Sequence, residues 1–493
     1  MLIRSMLFTA LCGLTSPAAH AWDSAVDPLF GAAGWNRLFE LGGGTQDEKG
    51  VAVARTADGG YVVAAEVPGG AANGGTGKRI GLFRLDHDGN RVTSGFGTDG
   101  RVFKDAWLTS VTDMTIDAQG RIVVVGATPG QGGLGDFGVV RFNADGSDDT
   151  SFAGDGGTSF GFDVSGFDYA EAPTSVLTDP DGRIVVAGNV DLGSLGHRFG
   201  VVRLNVDGSI DSTFGNINDG AGGHRGANDT FVADKAAYAS RILRIADGYY
   251  LMTGTSVYSG TDTDFAACIL TPGGSPWANF TGSGTFPIDE PGSGGSLYDT
   301  LNDAVLVDPT TVLLVGTASG KFAATRIKIG TVPGSLQYTE LAFDQSFIGS
   351  AIPGRPLRYV GNTPQSDGRS AALRSDGRIL LVGGTASTSI SGASTVDGTG
   401  QPSGNSWARV GLVTRLEPDG SPDAGFGIGG TYAFLAPGGT GASWYTTFER
   451  AQFDGFRPVI LGSSVDNSSA VSDSDAVITR LQSDVIFANG YDA

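Results

Sequence analysis

Arginine recurs at one position of this sequence, inside a short apolar run and near an Asp-rich turn such as that of Asp149, Asp211 or Asp423. A ring of inward-facing arginines could bind an anion, but an arginine fork also pairs with a carboxylate or caps turn carbonyls. A periodic residue in a repeat protein usually serves the repeat, so we expect a structural role. Ile269 takes this position in one unit, and the other six units carry Arg84, Arg141, Arg203, Arg326, Arg415 and Arg480.

Four aspartates are candidates for acid–base chemistry: Asp47, Asp113, Asp168 and Asp303. If they converged at the mouth of a channel, two carboxylates roughly 5–10 Å apart could hydrolyse a glycoside. No repeat unit, however, gains a cluster of titratable residues that the others lack. The sequence therefore favours a protein without catalysis, and we assign no catalytic residue. A hydrolase or lyase with these acidic residues at a central channel is the alternative.

Oxygen-rich turns are the candidate metal sites. They lie at Asp86–Asn90, Asn143–Asp149 and Asn205–Asp211, and calcium is the ion that such turns hold. They lack the bidentate Glu that completes a calcium loop, and Asp and Gly also suit a hairpin turn that holds no ion. We therefore predict no metal and no cofactor, and calcium stays the alternative to test.

Aromatic side chains next to polar groups are the candidate ligand-binding residues. They fall in connections of irregular length, which is where function usually lies in a repeat protein. An aromatic face beside a carboxylate suits a sugar or a protein partner, although such a residue also packs as a lid on a sheet edge. The candidates are Trp107, Asp168, Tyr169, Tyr298, Asp299, Trp444 and Tyr445.

The elements that must position these residues follow from a repeat. A phrase such as PDGRIVVAGN, from Pro180, occurs seven times, with an apolar run that ends in a small residue. A second phrase follows it, as in FGVVRLNVDGSIDSTFG from Phe199. Short apolar runs separated by Asp-Gly turns indicate hairpins, and periods of this kind are typical of propellers or arrays. The small residues are Ala65, Gly126, Gly188, Gly254, Gly316, Gly383 and Gly462.

Each unit has four short runs, which predicts a four-stranded antiparallel sheet. The seventh unit lacks the fourth-strand phrase D-x-x-F-G-x-x-G, and that phrase is found at the amino terminus as Asp27, Phe30, Gly31 and Gly34. We therefore predict an all-β fold, a seven-bladed β-propeller in which an N-terminal strand, Trp35–Leu41, completes the last blade. Such closure removes two exposed sheet edges. A stacked β-solenoid is the rival architecture.

The phrases DGRIVVAGN and FGVVRLNVDGSIDSTFG resemble the delta-60 repeat, a family of predicted propeller repeats of secreted bacterial proteins. The resemblance covers nearly all of residues 22–484. It is strong in the second, third and sixth units and degenerate in the fourth, fifth and seventh. It implies a propeller and no established catalytic residue.

Residues 1–21 have the parts of a secretory signal peptide, and we expect a mature propeller over 22–484 with a C-terminal tail over 485–493. The mature chain would be secreted, either extracellular or in the periplasm or at the cell surface. Only Cys268 would remain, so no disulfide is expected within the chain. With 52 acidic and 32 basic residues, a net charge of −20 disfavours nucleic acid, and no apolar run is long enough for a transmembrane segment.

Three functional hypotheses remain open. The first is a non-enzymatic binding or scaffold propeller that recognises a protein or glycan through its irregular connections. The second is the extracellular hydrolase or lyase named above. The third is a passive structural component whose acidic surface keeps it in solution. The oligomeric state is not encoded in any pattern of this sequence.

Overall fold

The structure is a computed structural model of the chain. It describes residues 26–31, 35–38, 47–69, 77–105, 107–129, 135–162, 170–193, 196–215, 227–230, 236–259, 262–277, 285–286, 299–331, 338–347, 357–360, 366–385, 395–396, 410–427, 430–434, 444–466 and 473–482. These residues form thirty strands, β1 to β30, in seven sheets.

The first three sheets along the chain have four antiparallel strands each, and we call them blades 1 to 3. Blade 1 consists of β2 (Lys49–Arg55), β3 (Tyr61–Pro68), β4 (Lys78–Leu85) and β5 (Arg101–Lys104). Blade 2 consists of β6 (Asp113–Ile116), β7 (Ile122–Pro129), β8 (Gly135–Phe142) and β9 (Gly157–Phe160). Blade 3 consists of β10 (Glu171–Thr178), β11 (Ile184–Asp191), β12 (His197–Leu204) and β13 (Ala227–Thr230).

The remaining sheets vary more in strand number. Blade 4 consists of β14 (Ala237–Arg244), β15 (Tyr250–Ser259), β16 (Asp262–Leu270) and β17 (Thr285–Phe286). Blade 5 consists of β18 (Thr300–Asp308), β19 (Thr311–Ala318), β20 (Lys321–Thr331), β21 (Tyr338–Phe343) and β22 (Leu357–Tyr359). Blade 6 consists of β23 (Ser366–Leu373), β24 (Ile379–Thr385), β25 (Thr395–Val396), β26 (Val410–Leu416) and β27 (Thr431–Phe434). Blade 7 consists of β28 (Trp444–Asp454), β29 (Arg457–Asp466), β30 (Asp473–Arg480) and β1 (Trp35–Arg37).

The blades close into a ring, which confirms the predicted seven-bladed propeller. The first strand of each blade packs against the first strand of the next, and β28 of blade 7 packs against β2 of blade 1. The N-terminal strand β1 pairs antiparallel with β30, with Trp35 opposite Thr479. The strand ends at Arg37 rather than Leu41, although the amide of Leu38 still donates to the carbonyl of Ala476.

Two blades depart from the four-strand pattern because the chain has insertions there. In blade 5, β20 extends beyond the usual length and forms an extra pairing with β21, while β22 pairs with its first half. In blade 6, the short strand β25 adds to the outer edge of β27 in parallel. Both additions lie at the outside of the ring, so they leave the inner strands in the common register.

Apolar residues on both faces of each blade explain why the sequence shows continuous apolar runs. In β3, Val62 and Ala64 belong to the core between blades 1 and 2, whereas Tyr61 and Val63 belong to the core between blades 7 and 1. The described residues form seven such buried clusters, one at each seam between neighbouring blades. A strand that is buried on both faces loses the alternation of a half-exposed strand.

In five of the six units that carry it, the recurring arginine forms what we call a clamp, an ion pair with an aspartate at the seam between blades, which confirms its predicted structural role. Nε of Arg203 donates to Oδ2 of Asp211 at 2.7 Å, and Nη1 donates to the carbonyl of Pro272 in the next blade at 2.8 Å. Its guanidinium also lies 4.4 Å from the ring centre of Phe214. The same Arg–Asp pairs, at 2.6–2.8 Å, are Arg141–Asp149, Arg326–Asp344, Arg415–Asp423 and Arg480–Asp27.

The Asp-Gly turns are required by the same packing. Gly208 has a φ of +87°, and a Cβ there would meet the ring of Phe152 in the preceding blade at 3.0 Å. Gly89 has the same relation to Phe30, which the N-terminal segment supplies to blade 7. The glycine therefore serves two purposes, because it adopts the left-handed conformation and lets the turn approach its neighbour.

Candidate functional site

The central channel is lined by a β-bulge in the first strand of the blades. In blade 3, Pro173 lies opposite Gly188 and Ser175 opposite Ala187, so Thr174 is the extra residue. A Cβ on Gly188 would overlap the carbonyl of Ala172, and this close approach explains the glycine that ends six of the seven apolar runs. The bulged or equivalent residues are Val51, Thr112, Thr174, Ser240, Asn302, Arg369 and Glu449.

These residues enclose a cavity of about 260 Å³ at the centre of the ring. Its charged lining consists of Lys49, Arg369, Glu449 and Arg450. Nη1 of Arg369 lies 3.9 Å from Oε2 of Glu449, and Nη1 of Arg450 donates to the Glu449 carbonyl at 2.9 Å. The wall is therefore polar, with its one described carboxylate near an arginine.

A charge network lies one residue beyond the bulges. Nη1 of Arg241 is 3.0 Å from Oδ2 of Asp113, and its Nε is 3.3 Å from Oδ1 of Asp303. Asp113 also accepts from the amide of Val176, and Asp303 accepts from the hydroxyl of Ser370 at 2.7 Å. Attraction to Asp113 raises the pKa of Arg241 above its usual range despite burial of the guanidinium. One cation thus bridges two carboxylates, and each carboxylate is fixed to the following blade.

Two of the four predicted acid–base aspartates therefore meet through Arg241. The other two do not join this network in the part of the chain that the structure describes: Asp47 is exposed before β2, and Asp168 lies outside the described residues. General acid–base catalysis needs carboxylates whose environments separate their pKa values. Asp113 and Asp303 instead bind the same guanidinium, so their environments are similar rather than different.

Two of the predicted ligand-binding residues have packing roles. Trp107 is half-buried against the core of blades 1 and 2, and a Cβ on Gly157 would meet its ring at 2.8 Å. Asp299 is fully buried, and its Oδ1 accepts from the amide of Ser319 at 2.9 Å. Both residues have these packing contacts, and their ligand-binding role stays a prediction.

The other five ligand-binding candidates have side chains outside the described residues. Trp444 and Tyr445 begin β28, the innermost strand of blade 7, and their side chains lie outside the described residues. Asp168, Tyr169 and Tyr298 lie outside the described residues altogether. The ligand-binding role of all five stays a prediction.

The calcium candidates are turns whose oxygens are used by the turns themselves. Oδ1 of Asp145 accepts from the amide and the hydroxyl of Ser147, at 2.9 and 2.7 Å, and Asp207 holds Ser209 in the same way. The hydrogen bond from the Ser147 hydroxyl holds the pKa of Asp145 below its usual value. Among the described residues, no three His, Cys, Asp or Glu side chains are grouped to hold a metal ion.

Sequence reasoning missed Arg241 and the bulge residues, although the repeat contains a signal for them. Thr112, Thr174 and Ser240 each stand fourteen residues before the glycine that ends the next apolar run. Counting back from the other glycines finds Asn302 and Arg369 in the same way. Comparing this one position across the units would have identified the channel wall.

Comparisons with known proteins agree on the fold. Residues 119–152 and 180–214 match the family model described as "Domain of unknown function (DUF5122) beta-propeller". That family is of the propeller kind that the repeat resemblance implied. No match was found among curated protein sequences.

The solved structures to which this chain is similar have low identity and low TM-scores. A protein of unknown function from Dyadobacter fermentans is 13% identical, with 91% of this chain and 98% of that chain covered and a TM-score of 0.39. A glucose dehydrogenase is 12% identical, with 90% and 99% covered and a TM-score of 0.36. A B. megaterium levansucrase mutant is 12% identical, with 61% and 85% covered and a TM-score of 0.33.

Within the described residues, no helix has the length and apolarity to cross a membrane.

Proposed function

We propose that this chain is an exported, non-enzymatic propeller that binds a protein or glycan through its loop face. The loop face is the side of the ring where second strands connect to third strands and where each blade connects to the next. The opposite side, with the connections from first to second and from third to fourth strands, is the turn face. Export rests on the signal-like residues 1–21.

The unequal length of the connections supports this proposal. On the turn face, the first two strands are joined by similar short turns, such as 117–121, 179–183 and 374–378. On the loop face, the connection between second and third strands varies from residues 319–320 in blade 5 to 386–409 in blade 6. A scaffold needs equal turns, whereas recognition needs loops that differ, so the loop face is where we place the ligand.

The contacts of the acidic residues at the channel support the proposal that the chain is not an enzyme. Asp113 and Asp303 both bind Arg241, and each also accepts hydrogen bonds from the following blade. These contacts lie within the protein, whereas a general acid must reach the leaving group of a substrate. This charge network therefore supports a structural role, in which it links the inner strands of different blades, rather than a catalytic one.

The proposal is tested by binding of the mature chain, residues 22–493, to a glycan array and to envelope proteins, with and without calcium. The variant is Trp444→Ala/Tyr445→Ala, which removes two aromatic rings at the loop-face end of β28. We expect binding by the wild type and at least a tenfold loss in the variant, because aromatic anchors carry much of such binding energy.

Phe456→Ala is the matched control, since Phe456 is a half-exposed aromatic residue on the turn face of the same blade. Its binding should equal that of the wild type, and all chains should have similar thermal midpoints. Equal loss in both variants would contradict a loop-face site. Turnover of a bound glycan that disappears in Asp113→Asn would replace the proposal with the hydrolase hypothesis.

A further inference from the structure

Blade 1 has kept its clamp arginine and lost the aspartate that this arginine normally binds. In blades 2, 3 and 6, the aspartate stands eight residues after the arginine, and its amide donates back to the arginine carbonyl. The residue at that place in blade 1 is Val92, whose amide donates to the carbonyl of Arg84 at 3.0 Å. Val92 therefore occupies the aspartate's position in the fold without its carboxylate.

Blade 4 shows the other way to lose the pair. There, Ile269 replaces the arginine and Trp277 replaces the aspartate, and the amide of Trp277 donates to the Ile269 carbonyl. Removing both charges leaves no buried ion without a partner, whereas removing the acid alone leaves a costly buried cation. The unusual feature of blade 1 is that the arginine remains.

Arg84 makes different contacts from the other clamp arginines. Other clamp arginines donate to a turn carbonyl of the next blade, as Arg141 does to Val206 at 2.6 Å. Arg84 donates instead to the carbonyls of Tyr61 and Leu85 in its own blade, and Nη2 binds Oδ1 of Asp58 at 2.6 Å. The Arg84 side chain is 9% exposed, but the Asp58 side chain is 70% exposed.

A cavity of about 580 Å³ lies on the turn face at the seam of blades 1 and 2, where the clamp is missing. Its charged or titratable side chains are those of Asp58, Arg84, Asp86 and His87, and the polar residues Thr56, Ser94 and Gln119 also line it. Its apolar side chains include those of Val62, Val92, Phe96, Ile116 and Ile122.

We propose that this cavity binds a small organic acid, whose carboxylate takes the Arg84 fork in place of Asp58 while its apolar body lies on the seam. The planar guanidinium matches a carboxylate, and Asp58 shows that a carboxylate reaches it. Asp58 is the exposed partner of this pair, so a ligand carboxylate can take its place while the buried guanidinium keeps a partner. The apolar walls favour an acid with a hydrocarbon body over inorganic phosphate. This site is separate from the loop face and goes beyond the proposed function.

Calorimetric titration of the mature chain with hexanoate, benzoate and indole-3-acetate tests the proposal, with inorganic phosphate as the comparison anion. We expect at least one organic acid to bind and phosphate to bind at least tenfold more weakly. Asp58→Asn should strengthen binding about two- to fivefold, because it removes the competing carboxylate. Absence of binding by all three acids at 10 mM, or equally tight phosphate, would overturn the proposal.

Val92→Asp is the most specific variant, since it restores the aspartate of the clamp. We expect it to abolish organic-acid binding and to raise the thermal midpoint. Leu29→Asp, which adds the same charge at an exposed position, should change neither. If Val92→Asp binds the acids as the wild type does, the site is not at Arg84. Arg84→Lys gives an independent measurement, because it keeps the charge and loses the fork, and unchanged affinity in it would also overturn the proposal.

Discussion

Removal of one charge from a clamp should cost far more stability than removal of an exposed charge nearby. Asp211 is the informative residue, because its Oδ2 accepts from Arg203 at 2.7 Å and from Arg183 at 2.9 Å. Arg203 is almost fully buried, with 5% of its side chain exposed. Breaking a buried pair from one side typically costs about 3–5 kcal/mol, because the remaining charge stays buried. We expect Asp211→Asn to lower the free energy of unfolding by about 3 kcal/mol.

A double-mutant cycle separates the pair from other contacts of each residue. Arg203→Ile alone loses the bond to Pro272 and the stacking on Phe214, so it should also destabilise the fold. Together with Asp211→Asn it leaves no buried charge without a partner, as in blade 4. The two effects should therefore be less than additive by about 1–3 kcal/mol. Denaturant unfolding followed by circular dichroism gives all four free energies.

The pH dependence gives a second test of the same pair. Burial alone would raise the pKa of Asp211, but hydrogen bonds from Thr213 and Arg203 hold it well below the ordinary value of 3.8. A carboxylate with a lowered folded-state pKa stabilises the fold above the unfolded pKa and loses this effect as the pH falls. The wild type and Asp211→Asn should thus differ most above pH 5 and converge towards pH 2.

Asp181→Asn is the control, because Asp181 binds Arg183 at 2.7 Å from a position that is 54% exposed. Its cost should stay below about 1 kcal/mol. If Asp211→Asn costs no more than Asp181→Asn, or if the effects in the cycle simply add, the arginines are not clamps.

Three further predictions concern other parts of the ring. Asp27→Ala should destabilise the protein by about 3 kcal/mol, because Arg480 and Arg457 both bind the Asp27 side-chain carboxylate. A variant that unfolds in denaturant at the same free energy as the wild type would contradict closure of the ring by residues 26–38. Gly188→Ala should cost about 1–3 kcal/mol, since its Cβ overlaps the Ala172 carbonyl, whereas Gly273→Ala should cost less, because a Cβ there meets only the Thr271 hydroxyl at 3.7 Å. Burial raises the pKa of the Cys268 thiol to about 12. A disulfide reagent at pH 8 should therefore label this thiol only in denaturant, and rapid labelling of the native chain would contradict its burial.

The ring could be predicted from the sequence because its local rules repeat. Asp27 and Phe30 identified the closing strand, since the D-x-x-F phrase supplies both the carboxylate for Arg480 and the ring beneath its guanidinium. The extra strands β21 and β25 could not be predicted, because they arise in insertions that have no counterpart in the other units. The repeat specifies the inner strands and leaves these insertions free.

The candidate site was harder to predict because the type of a residue does not say where its side chain points in the fold. Asp299 resembled a ligand-binding carboxylate but is buried under the turn at Ser319, and Trp107 covers Gly157. Conversely, Arg241 lies in a strand with no distinctive motif, and only the bulge turns it towards Asp113 and Asp303. Contacts between residues of different blades depend on the ring, so no local pattern contains them.

The most direct test of the loop-face proposal is hydrogen–deuterium exchange of the mature chain with and without a glycan or protein identified in the binding screen. We predict that the ligand protects peptides of the loop face, in particular residues 386–409 and 435–447, and leaves the turn-face peptides 117–121 and 374–378 unchanged. Protection confined to the inner strands that carry Asp113, Arg241 and Asp303 would contradict the proposal and place the ligand in the channel.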